Sequence, residues 1–244
     1  MITDFIGQCV INLYKSLKYI VTGRVNLKNT LIQSAIIGYD SVPIALVIAL
    51  VSGAVLALQV SRQFVLTGAE SYIGGLISVA IIREMAPVFA ALSIGARAGT
   101  AIAAEIANMQ VTEQIDAIKT LKIDPISYLF VPRIIAGTIM VPLVTILAEF
   151  IGILGGMWVA DYAVDVHPNR YLNSVWLYTN AHDIEVSLIK AAVFGLLITL
   201  ICATNGMATK GGAKEVGVST TRAAIGTALA ILVFDYFLTW IFYG

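Results

Sequence analysis

The chain has 244 residues, a formal net charge of zero and a mean hydropathy of +0.89. Charged residues make up only 12% of it, against roughly 25% in soluble domains, which argues against a soluble enzyme. The zero net charge provides no basic field for nucleic acid. Cys9 and Cys202 lie in unrelated segments, so they indicate apolar packing and not a disulfide framework or a metal site.

The N-terminal segment, residues 4–21, has apolar side chains at helical spacing with polar residues between them. It is too polar to cross a bilayer, and we expect a helix lying in the membrane interface, with residues 1–34 forming this helix and its connector. A helix packed against the rest of the bundle is an alternative that the pattern leaves open. No cleavable signal peptide is predicted, because the first 30 residues lack a compact apolar core.

Five stretches are long and apolar enough to cross a membrane, which takes about 20 residues. We place them at residues 41–61, 72–104, 134–160, 190–208 and 223–243. The second is long and interrupted by Arg83, Glu84, Pro87 and Arg97. The expected fold class is an all-α polytopic membrane protein with one domain over residues 1–244. It comprises an N-terminal interfacial helix, five transmembrane helices and a short cytoplasmic helix between the second and third spans.

The distribution of lysine and arginine predicts the orientation. The N-terminal segment and the loops after spans two and four contain ten basic residues, and the alternate loops contain three. We therefore expect the N-terminus in the cytoplasm and the C-terminus outside. Residues 161–189 form the predicted extracytoplasmic segment.

Residues 109–124 form the predicted cytoplasmic helix. Thr112 is the expected N-cap, with Glu113 and Asp116 in the first turn and Lys119 and Lys122 in the last, an order that suits the helix dipole. Asp124-Pro125 is expected to end the helix. The apolar strip Ile115, Ile118 and Leu121 needs a partner, which is either the bundle underneath or another protein.

Arg83, Glu84 and Arg97 lie inside a span, where ionisable groups normally face a cavity or a partner. Arg83 and Glu84 should point in different directions, because adjacent helical residues diverge by about 100°. Pro87 predicts a kink nearby. These residues form either a functional polar site or an ion pair that braces the bundle.

Glycines at positions 95 and 99 give the second span a bare face for close helix packing. The sequence contains no phosphate-binding loop of the form G-x-x-x-x-G-K-[ST] and no metal-ligand spacing at its two histidines. We therefore expect no enzyme activity, metal or cofactor on this chain, so that any ATP and Mg²⁺ would be bound by a separate subunit.

Several stretches together resemble the MlaE-like permease family. They are IREMAPVFAA from Ile82, ARAGTAIAAE from Ala96, TEQID from Thr112, and Asp124-Pro125 with Pro132-Arg133. The similarity continues in Gly53 and Gln59, Asn205-Gly206, and DYFLT from Asp235. It covers nearly the whole chain in order.

The resemblance implies the permease subunit of an ABC lipid transporter. It implies a homodimer, a cytoplasmic ABC ATPase and an extracytoplasmic MCE-domain protein as partners, with membrane lipids as cargo. Thr112, Glu113, Gln114, Asp116 and Lys119 would belong to the coupling helix that docks on the ATPase. The expected lipid pocket lies at the dimer interface near spans one and two. Intramembrane polar residues matching the family motifs there are Gln59, Arg83, Glu84 and Arg97.

Two other functions are compatible with the residues. One is an ion-coupled secondary transporter that uses Arg83, Glu84, Glu149 and Asp235 as a relay, and the other is a membrane scaffold. The family occurs in bacterial inner membranes and in plastid inner envelopes, and the bacterial membrane is the preferred expectation here. Lipid identity and the direction of transport do not follow from the sequence.

Overall fold

The computed structural model describes residues 2–23 and 25–244, so Arg24, one of the ten basic residues counted above, lies outside the described part. Within these ranges every regular element is helical. The α-helices are α1 (Ile2–Val21), α2 (Leu27–Ile37), α3 (Val42–Leu66), α4 (Ile73–Ala80), α5 (Ala86–Ile94), α6 (Thr100–Val111), α7 (Gln114–Thr120), α8 (Val131–Val164), α9 (Pro168–Tyr178), α10 (Ala181–Met207) and α11 (Ala213–Tyr243).

Five helical segments are long and apolar enough to span a membrane, which confirms the all-α polytopic fold class. They are Leu27–Leu66, Glu70–Val111, Ile126–Val164, Ala181–Met207 and Ala213–Tyr243. Each is longer than the sequence predicted: α2 occupies part of the predicted connector, and α10 begins inside the predicted extracytoplasmic segment. Hydropathy marks only the apolar middle of such a helix, because its polar ends extend beyond the hydrocarbon.

Helix α1 has three faces. Asn12 and Ser16 are buried against the bundle. A second face is apolar and exposed, with Ile6, Val10, Tyr14, Leu17 and Val21 along it. The third is polar and exposed, with Asp4, Gln8, Lys15 and Lys18. The helix therefore packs on the bundle and also presents the apolar and polar faces typical of a helix at a membrane surface.

The second span is not a regular α-helix. Wide, π-helical turns at Ile81–Met85 and Gly95–Gly99 separate α4, α5 and α6. Such turns are rare and frequently lie at functional sites. The first turn contains Arg83 and the second contains Arg97. Pro87 follows the first turn directly, so the predicted irregularity occurs next to Arg83 and Glu84.

Glycine allows three helices to touch through their backbones. A Cβ on Gly53 of α3 would overlap the carbonyl of Gly152 on α8, and one on Gly195 of α10 would overlap the carbonyl of Gly137 on α8. Gly95 and Gly99 face side chains of α10 and α11, among them Cys202 and Thr227. Close approach of this kind increases dispersion contact between helices in a lipid environment.

The end of the molecule opposite α7 is rich in aromatic side chains. Helix α9 lies against α4, where the Ser174 hydroxyl accepts a hydrogen bond of 2.9 Å from the Gly75 amide. Trp158, Trp176 and Trp240 are all exposed near this end. Tryptophan is enriched at membrane–water interfaces, so this end has the composition of an interfacial belt.

Candidate functional site

The water-exposed segment between α6 and α8 contains a shorter helix than predicted. Helix α7 covers Gln114–Thr120, whereas residues 109–111 belong to α6. The predicted N-cap role of Thr112 is wrong, because its hydroxyl donates to the Asn108 carbonyl at 2.8 Å. Glu113 occupies the N-cap position with a left-handed backbone at φ 59° and makes no side-chain capping bond. The Thr112 hydroxyl therefore bonds to the preceding helix instead of capping α7.

The predicted stop at Asp124-Pro125 is also wrong. Helix α7 ends at Thr120, and Lys122 then adopts a left-handed conformation at φ 60°. Asp124 instead starts the next helical segment, because its Oδ1 accepts a hydrogen bond of 2.8 Å from the Ile126 amide. Its Oδ2 accepts one of 2.7 Å from the Tyr19 hydroxyl of α1. Asp124 thus joins the connection after α7 to the N-terminal helix.

The apolar strip of Ile115, Ile118 and Leu121 is partly packed on the bundle and partly left exposed for another protein. Ile115 is fully buried in the bundle, whereas Leu121 is 72% exposed. The predicted coupling residues Glu113, Gln114, Asp116 and Lys119 are all exposed, and Lys119 pairs with Asp116 at 2.7 Å. Helix α7 is therefore anchored by one isoleucine and presents a polar surface to water.

An ion pair holds the two helices that flank α7. The Arg133 guanidinium on α8 lies 2.6 Å from the Glu105 carboxylate on α6 and also donates to the Leu129 carbonyl at 2.8 Å. The Arg133 side chain is 4% exposed and that of Glu105 is 53% exposed. This bridge links both ends of the segment, so a displacement of α7 would act on spans two and three together.

Lys190 is the centre of a polar cluster inside the bundle. Its ammonium donates to the Arg83 carbonyl at 2.9 Å, to Glu84 Oε2 at 2.9 Å and to Thr239 Oγ1 at 2.7 Å. These bonds use all three ammonium protons. Asp235 Oδ1, at 3.0 Å from the same nitrogen, is an ion-pair neighbour to which no hydrogen bond is donated within the described part of the chain.

The proline in the second span explains one of these bonds. Pro87 has no N–H to donate to the Arg83 carbonyl four residues earlier. Lys190 satisfies that carbonyl instead. The proline and the buried lysine therefore belong to one arrangement.

Arg83 pairs with a different residue of α10. Its Nε lies 2.8 Å from Asp183, and its guanidinium carbon lies 4.4 Å from the centre of the Tyr243 ring. Arg83 and Glu84 therefore both contact α10, and they reach different residues of it, as expected for adjacent side chains that point in different directions. Their partners Asp183 and Lys190 are seven residues apart on that helix, about 10.5 Å at the rise of an α-helix.

The sequence analysis missed the polar stripe on α10. Asp183, Ser187 and Lys190 have the i, i+4, i+7 spacing of one helix face. Ser187 donates to the buried carboxylate of Glu149 on α8. The sequence predicts Lys190 as the first residue of the fourth span, with its charge counted for the loop before it, and places Asp183 in the segment outside the membrane. Their spacing could have identified them as one face of a longer helix.

Arg97 lies in another part of the bundle. Its guanidinium donates to the Ile36 carbonyl at 3.0 Å and to Ser41 Oγ at 3.1 Å, and it lies 3.2 Å from Asp40. It also borders a cleft of about 380 Å³ between α3 and α5. Apolar side chains form most of its wall, namely Ile44, Ile48, Phe89 and Leu92.

The remaining predicted residues do not form one site with these groups. Gln59 is exposed on α3 and makes no side-chain hydrogen bond within the described part of the chain. Arg83, Glu84 and Glu149 each pair with a different residue of α10. In residues 2–23 and 25–244, no group of three or more metal-ligating side chains comes together.

Comparisons with known proteins agree with this architecture. The family model described as Permease MlaE matches residues 30–241. A probable ABC transporter permease of Synechocystis sp. is 44% identical over 225 residues, which are 92% of this chain and 86% of the relative. One from Rickettsia felis is 41% identical over 86% of this chain and 82% of its own length.

A plant protein extends the similarity. TRIGALACTOSYLDIACYLGLYCEROL 1, chloroplastic, of Arabidopsis thaliana is 33% identical over 97% of this chain and 66% of the plant protein. The family match, the five apolar spans and the permease relatives all indicate a membrane-embedded permease subunit. The chain belongs to the MlaE permease family.

Proposed function

We propose that the chain is the lipid-translocating subunit of an ATP-driven transporter. The observation that carries this proposal is the apolar cleft beside Arg97, which offers a hydrocarbon wall and a cation in one place. An acyl chain would lie against Ile44, Ile48 and Phe89. The phosphate of its headgroup would be attracted to the guanidinium, whose interaction with an anion is strong in a medium of low dielectric constant.

The energy source is proposed to be a separate ABC ATPase. The relatives' name, ABC transporter permease, supports such a partner. Helix α7 provides an exposed docking surface with Glu113, Gln114, Asp116 and Lys119. The adjoining Thr112 belongs to the same turn. Movement of α7 would pass through the Glu105–Arg133 pair to spans two and three. Span two forms one side of the cleft, and span three packs through Gly152 against α3, which forms the other.

Two further partners complete the proposal. A second copy of the chain would cover the exposed apolar side chains of α3 and α11, such as Val55 and Leu229. An extracytoplasmic MCE-domain protein would receive or deliver lipid at the end that carries α9. The transporter would lie in a bacterial inner membrane or, as the plant relative's name suggests, a plastid envelope. ATP and Mg²⁺ would be bound by the ATPase alone.

An ion-coupled transporter remains the alternative, with Arg83, Glu84, Glu149 and Asp235 as its relay. The contacts favour a bracing role for these groups. Three of them pair with different residues along α10, and Glu84 and Asp235 share the ammonium of Lys190. Such pairs fix how separate helices pack, and within the described residues each of these groups is held by a partner on another helix.

The experiment measures bound lipid and transport in a reconstituted complex. Ile48→Trp fills the cleft and Arg97→Gln removes its cation. We expect each to reduce co-purifying lipid, measured by native mass spectrometry, and ATP-driven lipid transfer at least about 10-fold, because a difference of about 1.4 kcal/mol in affinity has this effect. Leu147→Trp, on an exposed part of α8, is the matched control and should retain both.

Unchanged lipid occupancy and transfer in Ile48→Trp and Arg97→Gln would reject the cleft as the lipid site. Transfer that needs a proton or sodium gradient and no ATP would favour the ion-coupled alternative. Replacing Glu113 and Asp116 by lysine tests the coupling surface separately. ATPase binding that survives this double change would reject α7 as the docking helix.

A further inference from the structure

A cleft of about 510 Å³ lies between α1 and the connection after α7. Three lysines line it, Lys15 from α1 and Lys119 and Lys122 from the α7 segment. Within the described residues Lys15 and Lys122 form no ion pair, and Lys119 pairs only with the exposed Asp116. The cleft therefore has an excess of positive charge that its own walls leave largely uncompensated.

The carboxylate that lines this cleft is already engaged. Asp124 accepts hydrogen bonds from the Tyr19 hydroxyl and from the Ile126 amide, one on each oxygen. Within the described residues it forms no ion pair with any of the three lysines, which outnumber it in the cleft. The bond from Tyr19 and the buried hydrogen bond from Asn12 to Thr204 also fix α1 in place. The cleft is thus formed before any ligand arrives, so binding would cost little ordering entropy.

The floor and rim of the cleft carry exposed apolar surface. Ile123 lines the cleft and is 44% exposed, and the nearby Leu121 is 72% exposed. Large apolar side chains beside unpaired cations, on a segment that faces water, indicate a protein contact more than a small anion. A phosphate ion alone would leave these two side chains uncovered.

The position of the cleft on α1 decides from which side a ligand enters. Gln8 and Lys15, from the polar face of α1, line it, and no residue of the exposed apolar face does. Since the apolar face is the one suited to the bilayer, the cleft opens away from lipid. Its occupant therefore comes from the aqueous phase.

We propose that this α1–α7 cleft is a second docking surface for the cytoplasmic ATPase subunit, which it binds through an acidic segment with an apolar side chain. This inference rests on the proposed function, since it adds a contact to the one made by α7. The lysines attract the acidic groups, and Ile123 with Leu121 covers the apolar side chain. Helix α1 thereby becomes part of the interface that transmits ATPase movement to the membrane.

The test is the affinity of the reconstituted permease for the purified ATPase subunit of the same transporter. The double variant Lys15→Glu/Lys122→Glu should weaken binding at least 10-fold and should reduce its dependence on salt. The matched control Lys28→Glu/Lys214→Glu makes the same change in charge at exposed lysines that lie on other helices and do not line the cleft. It should stay within about twofold of the wild type, because exposed charges far from a contact are screened.

A photo-crosslinker attached at Lys15→Cys identifies the occupant directly. We expect an adduct with the ATPase subunit, and no such adduct from Lys28→Cys, which is exposed on α2 and does not line the cleft. An adduct with anionic phospholipid alone, in vesicles containing phosphatidylglycerol, would overturn the proposal in favour of a lipid site. Equal affinity of both double variants would also overturn it.

Failure of this inference differs from failure of the proposed function. If the cleft plays no part, Lys15→Glu/Lys122→Glu binds the ATPase normally, whereas Glu113→Lys/Asp116→Lys does not. If the wild-type permease binds no ATPase under any condition, the proposed function and this inference are both rejected.

Discussion

Lys190 shows how a single side chain can join three spans of the bundle. Its ammonium is fully buried and reaches the second span through the Arg83 carbonyl and Glu84, and α11 through Thr239 and Asp235. A buried ion pair contributes little net stability when it is complete, but removing one partner leaves the others uncompensated. Removing Lys190 alone is therefore expected to destabilise the protein by more than the complete cluster stabilises it.

We expect Lys190→Met to destabilise the protein by about 3 kcal/mol, at the lower end for a broken buried pair because Glu84 is 40% exposed. The triple variant Glu84→Gln/Lys190→Met/Asp235→Asn, which removes the charges together, should recover part of this loss. Thermal unfolding in detergent measures both. A triple variant no more stable than Lys190→Met would show that charge compensation is not the reason.

The importance of Lys190 could not be read directly from the sequence. Arg83 and Glu84 were recognisable because they interrupt an apolar span, whereas Lys190 lies at the edge of one. The predicted span begins at Lys190, whereas helix α10 extends nine residues before it with polar residues on the way. Pairings such as Arg83–Asp183 depend on how separate helices pack against one another, which local sequence does not encode.

At the scale of whole helices, packing depends on glycine where two backbones meet. Gly53 of α3 contacts Gly152 of α8, and a methyl group at Gly53 would overlap a backbone carbonyl that cannot move aside. Gly217 of α11 has open space where its Cβ would lie. The two glycines are equally helical, so they differ mainly in what surrounds them.

Gly53→Ala should therefore destabilise the protein by about 2 kcal/mol through overpacking. Gly217→Ala should stabilise it by up to about 1 kcal/mol, because alanine has the higher helix propensity. The readout is the melting temperature of each variant in the same detergent. Similar shifts in both would mean that the α3–α8 contact can widen without cost.

Helix positions were predictable, and helix ends much less so. The five apolar stretches all correspond to spans, because an apolar run of that length has no other stable environment. The ends of α7 were misplaced since Thr112 and Asp124 each had two candidate roles. Thr112 bonds backward to α6, and Asp124 starts the following helix. Both choices depend on the neighbouring helices.

Across the whole molecule, charge and aromatic residues separate to opposite ends. The end with α7 carries most of the exposed lysines, whereas exposed tryptophans gather at the end with α9. Arg133 and Lys190, counted in the topology prediction as loop charges, are buried in helices. Arg133 was counted for the α7 end and Lys190 for the opposite end. Leaving both out therefore preserves the excess of basic residues at the α7 end.

This distribution predicts that Lys214→Cys, in a Cys9→Ala background, reacts with an impermeant maleimide only from the cytoplasmic side. Asn169→Cys, next to α9, should react only from outside. Both positions are exposed, so access to the reagent depends on membrane side alone. Labelling from the reverse sides in oriented vesicles would contradict the predicted orientation.

The π-helical turns of the second span have a consequence for how this chain tolerates insertion and deletion. Each turn holds about one residue more than an α-helical turn, so the span contains two single-residue insertions, at Ile81–Met85 and Gly95–Gly99. Deleting one residue from either turn would restore regular helix there. It would also rotate one part of the span against the other by about 100°. Relatives with a gap here should therefore contain compensating changes on α10, where Asp183 and Lys190 meet Arg83 and Glu84.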